Sequence, residues 1–132
     1  MKTLYKVVNR HRKSAMVSNV ISKQKAPELA AYIFTYNKGV IITANPKTLG
    51  IFCFGEKDAA LTFLRMNAAM RDITGKPWQI IEVEPLTQVN HCELALIVSE
   101  MHNTYIKTSR DPDDYILTPY GTVTCRKIKV LT

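Results

Sequence analysis

The stretch from Leu49 to Val83 constrains the fold most, because it reads as strand, helix, strand. Gly50-Ile51-Phe52-Cys53-Phe54 is short, apolar and flanked by Gly50 and Gly55, which suits a strand covered on both faces. From Glu56 to Ile73 the residues Ala59, Phe63, Met66, Met70 and Ile73 recur at spacings of three and four, so they share one helical face. Thr62, Arg65, Asn67 and Arg71 fall on or beside the other face. Gly75 and Pro77 stop the helix, since glycine accepts a left-handed cap and proline cannot continue the ladder. Trp78 to Val83 then returns as a strand that Pro85 ends.

The remaining elements are strands for this helix to cover. Leu4 to Val8 is the first, and Ala15 to Ile21 is β-branched enough to be a second. Pro27 suits the first turn of a short helix at Glu28–Ala31. Tyr32–Tyr36 and Val40–Ala44 flank Asn37-Lys38-Gly39 and read as a hairpin, with glycine supplying a positive φ. Asn45–Thr48 is a turn, because Pro46 is poorly placed inside a sheet. Between Thr87 and Tyr105 the spacing of Leu94, Ile97, Val98 and Met101 favours a second helix over about 90–103, with Asn90 as N-cap and Glu93 three residues on. The β-branched pair Ile97-Val98 argues the other way. Lys107 to Asp114 is a surface loop, Pro119-Tyr120-Gly121 a turn, and Thr122 to Leu131 the last strand. The expected fold is a single α+β domain over 1–132. A mainly antiparallel or mixed sheet of about five to seven strands carries a main helix near 56–73 and a second near 90–103.

At 132 residues the chain is long enough to bury a core without disulfide or metal staples. Its 46% hydrophobic and 22% charged residues are ordinary, so long disorder is not expected. No apolar run approaches the roughly 20 residues that span a bilayer, so no membrane contact is expected. Cys53, Cys92 and Cys125 are widely separated and odd in number, which argues for thiols packed as small hydrophobes in a reducing, cytoplasmic compartment.

Charge is placed unevenly. Residues 1–25 hold seven Lys and Arg and no acid, residues 126–132 hold three and no acid, and the interval between carries −3 of the net +7. An acid-free basic start is one trait of a mitochondrial transit peptide, but Leu4–Val8 reads as a strand rather than an amphipathic helix. If the first and last strands are neighbours, Lys6, Arg10, Arg12, Lys13, Arg126, Lys127 and Lys129 join into one cationic patch. Tyr5, Tyr32 and Tyr36 would then add faces for base stacking to its phosphate contacts. The plainer reading is a solvated basic face with no dedicated ligand. No helix-turn-helix, zinc finger or RNA-binding aromatic signature accompanies the patch.

Other constellations are weaker. His91, Cys92, Glu93 and His102 gather metal-ligand types, but His91 and His102 would stand about 16 Å apart along a helix, so no metal is expected. Glu82 and Glu84 alternate on one strand face and could do acid–base work. Some ADP-ribosyltransferases carry such a Glu-x-Glu pair, although no matching Arg and Ser-x-Ser pattern is found here. The acidic run Asp111, Asp113 and Asp114 lacks the glycine and terminal glutamate of a calcium loop. Five scattered glycines form no phosphate loop, and no nucleophile elbow is present. No cofactor is expected and no catalytic residue is assigned.

The leading expectation is a non-enzymatic binding or accessory protein that contacts an acidic partner, nucleic acid or protein, through the basic ends. One alternative is a small transferase or hydrolase, ADP-ribosyltransferase-like, acting on an anionic or nucleotide ligand through His11, the Glu82/Glu84 pair and a basic residue. Another is a self-assembling viral or phage component. Under any of these readings the oligomeric state is open, and a homodimer is compatible with the sequence.

Overall fold

The computed structural model describes residues 2–9, 11–14, 34–44, 50–66, 78–92, 94–96, 115–117 and 119–132. Among these residues the strands are β1 (Leu4–Val8), β2 (Ile41–Thr43), β3 (Ile51–Phe54), β4 (Gln79–Pro85), β5 (Val89–His91), β6 (Leu94–Leu96), β7 (Tyr115–Leu117), β8 (Thr122–Cys125) and β9 (Lys127–Val130). The helix α1 spans Lys57–Met66. Seven strands form one antiparallel sheet in the order β2-β9-β4-β1-β3-β8-β5, and β6 pairs with β7 apart from it. This is the expected α+β class.

The sheet closes on itself. β8 pairs with β3 and β9 pairs with β4, yet only Arg126 separates β8 from β9 along the chain. Likewise β4 pairs with β9 and β5 with β8, with only residues 86–88 between them. Two long bent strands therefore run side by side, and β1 and β3 complete the ring through their pairings with β4 and with each other. Where the long strands bend, three residues, Leu86, Thr87 and Gln88, stand against two, Arg126 and Lys127, as in a β-bulge. The Thr87 hydroxyl accepts from the Arg126 and Lys127 amides at 3.1 Å each and so satisfies the donors that the bulge frees. A curled sheet of this kind needs such bends to close.

Alternation then sorts side chains to the two faces. The inner face gathers Leu4, Val8, Ile42, Ile51, Cys53, Ile81, Val83, Val123, Cys125, Ile128 and Val130, and Tyr36 packs among them. On the outer face α1 covers Val7 and Phe54 with Ala59 and Ala60, beside Trp78, Phe63 and Leu64. The rings of Phe63 and Trp78 stack at 6.2 Å.

Several expectations are corrected. The second helix near 90–103 is not shown: residues 89–91 and 94–96 are strands, and 97–103 lie outside the described residues. Buried β8 needs a partner on its free side, and β5 supplies it by extending the β4 ladder. The turn at residues 37–39 forms as expected, with Gly39 at φ 87 and Val40 N donating to Asn37 O. Its flanks do not pair as a hairpin among the described residues, because β2 takes β9 as partner and Tyr36 N donates to Arg12 O. Met66 is 81% exposed rather than core, since the buried stripe of α1 runs through Ala59, Ala60, Phe63 and Leu64. The last strand is broken at Arg126. The expected strand at 15–21, the short helix at 28–31, the helix end at 67–77 and the loop at 107–114 lie outside the described residues.

Candidate anion-binding face

The expected basic residues divide by the strand each occupies. Lys6 is the clearest correction. It alternates with Tyr5 and Val7, so it shares the inner face with Leu4 and Val8 and is only 5% exposed. Its ammonium donates to Phe52 O at 2.7 Å and lies 4.8 Å from the centre of the Tyr36 ring. A buried ammonium needs such partners to offset lost hydration. Lys6 therefore belongs to the core and takes no part in a surface patch.

Arg12 and Lys13 stand in the loop that follows β1. Buried Asn9 organises it: its side-chain oxygen accepts from the His11 and Lys13 amides, and its main-chain oxygen accepts from Arg12 N. Arg12 takes the left-handed conformation at φ 60. Its guanidinium donates from Nε to Tyr36 O at 2.7 Å and from Nη2 to Thr132 O at 2.5 Å. Lys13 Nζ donates to Thr35 Oγ1 at 2.8 Å. Arg10 lies outside the described residues.

β1 and β9 are not neighbours, because β4 lies between them. That strand brings Glu82 opposite Tyr5 and Glu84 opposite Lys129. Among the described residues α1 leaves β2, β9 and the Glu84 end of β4 open on the outer face, which carries two cross-strand rows there: Ile41, Lys129 and Glu84, then Thr43, Lys127 and Leu86. Lys127 and Lys129 are both exposed there, and Arg126 is half-buried at the bend. The two lysines are two positions apart on one face, roughly 7 Å between Cα atoms, so their charges add. Lys38, in the turn at residues 37–39, is an exposed addition: Gly39 N donates to Val130 O and holds that turn against the end of β9.

The carboxylate pair shares the outer face as expected, both members half-buried, with Glu84 opposite Lys129 and Glu82 opposite Tyr5. His11 follows the Val8 end of β1, which pairs with Gln79, whereas Glu84 lies past the Leu4↔Val83 pair at the other end. Strand length alone sets those ends roughly 17 Å apart. His91 is exposed on β5 and Cys92 is half-buried, and among the described residues no group of three metal-ligand side chains forms. Cys53 and Cys125 are buried free thiols. Burial lifts the Cys53 thiol to about 11, with nearby Lys6 opposing the shift, and lifts the Tyr36 hydroxyl well above its ordinary range.

Comparison with protein-family models, with curated proteins and with solved structures finds no match for this chain.

Proposed function

We propose that the protein is a non-enzymatic binding protein that contacts an acidic partner through the open β2-β9-β4 face. The observation that carries this reading is the joint projection of Lys127 and Lys129 from the part of the sheet that α1 leaves uncovered. Two ammonium groups on one strand face repel each other in the free protein, and an anionic ligand relieves that repulsion. Arg126 at the bend and Lys38 at the turn extend the cationic field along the strand. Glu84 tempers it at one position, which favours a partner whose charges are spaced rather than continuous.

The test is a titration of the full chain with two polyanions, polyglutamate and a single-stranded oligonucleotide, at low and at raised salt. Binding at low salt that weakens steeply as salt rises supports the reading. Absence of binding to both at low salt removes it.

A further inference from the structure

We propose that the edge of β2 that no described strand covers takes an extended acidic protein segment as an added strand, with Lys127 reaching over Thr43 to its carboxylates. This rests on the acidic-partner reading above and names the partner's class.

Backbone geometry comes first. In an antiparallel ladder, hydrogen-bonded pairs alternate with pairs whose amide groups point away. Val130 N donates to Val40 O and Ala44 N donates to Arg126 O. With Ile42 opposite Ile128, these bonds place residues 40, 42 and 44 on the β9 side. The N–H and C=O groups of Ile41 and Thr43 therefore point to the other edge. β2 ends the sheet order, so no described strand pairs with it there. Ile41 is 53% exposed, Val40 is 40% exposed and Thr43 is exposed. The run Val40-Ile41-Ile42-Thr43-Ala44 is β-prone and carries neither charge nor proline, the usual protections of an edge. A strand edge with outward amides is what an added peptide strand pairs with.

The side chains beside that edge select the occupant. An added strand would lie two strand spacings from β9, about 9.6 Å, which a lysine and a glutamate side chain span together. Thr43 is short and leaves the path from Lys127 open. Ile41, in the Lys129 row, offers apolar contact instead. The complementary segment thus carries an acid facing Thr43 and an apolar residue two positions away facing Ile41. A second copy fits less well: a two-fold β2–β2 pair would put Lys38, Lys127 and Lys129 of both copies around one continuous sheet, in chains of +7 each. Single-stranded nucleic acid has no backbone to match the ladder. Tyr36, one stacking face that the sequence suggested, is 3% exposed, and Tyr5 packs beneath α1.

The experiment uses the isotope-labelled full chain and a capped Glu-Thr-Val-Thr repeat peptide, in which Glu and Val alternate along one strand face, with a single-stranded oligonucleotide as second probe. Peptide binding should slow amide exchange at Ile41 and Thr43 by at least about tenfold and leave the already paired Ile42 unchanged. Thr43→Pro, which removes an outward amide while leaving the bonds of 42 and 44 to β9, should abolish peptide binding. Should that variant fail to fold, exchange in the native chain decides alone. Peptide binding without slowing at 41 and 43, or oligonucleotide binding alone, overturns the added strand and leaves the acidic-partner reading standing. Slowing at both amides with rising protein concentration alone makes a second copy the occupant and overturns it too. Failure of both probes at low salt overturns both readings.

Discussion

Arg12 Nη2 donates to the main-chain oxygen of Thr132 at 2.5 Å, across 120 residues of sequence. The basic loop after β1 and the end of the chain therefore meet, and they meet through a cation bound to main-chain oxygens. Thr132 in turn accepts from Glu82 N through its hydroxyl at 2.9 Å, and Leu131 N donates to Glu82 O. The junction ties the loop, β4 and the last residues together. The exposed lysine pair, Lys127 and Lys129, stands on β9 instead.

Arg12 holds the left-handed conformation that glycine adopts without cost. Arg12→Ala keeps the strain and loses both guanidinium bonds, so it should destabilise by about 1–3 kcal/mol. Arg12→Gly loses the same bonds but relieves roughly 1 kcal/mol of backbone strain, so it should be the milder variant, against the usual order of these residues. Urea unfolding followed by the fluorescence of buried Trp78 measures both; a glycine variant less stable than the alanine one would contradict the structural role.

Lys6 is a core residue whose charge is tolerated because Phe52 O and the Tyr36 ring receive it. Lys6→Met keeps the volume and removes the hydration penalty, so its stability should stay within about 1–2 kcal/mol of the parent. Lys6→Glu places a carboxylate against a carbonyl and should cost more than about 3 kcal/mol. Equal effects of the two would place Lys6 at the surface instead.

Alkaline pH should destabilise the protein through its buried acids. Cys53 rises from 9.0 to about 11 and Tyr36 rises above its 10.0. The unfolded chain then ionises first, so this stability is complete below about pH 9 and is lost as pH climbs toward the folded values. For Cys53 the loss between pH 9 and 11 is about 2–3 kcal/mol. Cys53→Ala removes that portion, so the difference between parent and variant stability should shrink by this amount across the window. A difference that stays flat from pH 7 to 11 would contradict the buried thiol.

Gly121 sits at φ 81, and a Cβ there would lie 2.5 Å from the Ala59 Cβ. Gly121→Ala must shift the first turn of α1 off the sheet and should cost about 2–4 kcal/mol. Gly39 has a similar φ of 87 but open space around it, so Gly39→Ala should cost only about 1 kcal/mol. Thermal melts of the two separate crowding from backbone strain, and equal losses would show that α1 does not press on Gly121.

The core was legible where the pattern was local and dense. Ile51–Phe54, the start of the helix at 57 and the strand ending at Pro85 all follow from short-range periodicity and its breakers. Non-local pairing was not legible. Nothing near Val40–Ala44 announces that β9, more than 80 residues on, is a better partner than Phe34–Tyr36. Residues 89–91 adopt a strand because β8 needs one, which no window around them records. The cationic face failed in part for the same reason. Lys6 reads as surface by residue type, and only strand register places it inside. Lys127 and Lys129 were legible because alternation with Ile128 and Val130 already separates them from the core.

Charge reversal at matched net charge tests the central claim most directly. Lys127→Glu and Arg65→Glu change the total equally, but Lys127 faces the open sheet and Arg65 is exposed on α1. Affinity for the Glu/Val peptide at low salt should fall at least about tenfold in Lys127→Glu and change little in Arg65→Glu, with both variants melting like the parent. Equal losses in the two would mean that the peptide responds only to overall charge, and the β2-β9-β4 face would not be its site.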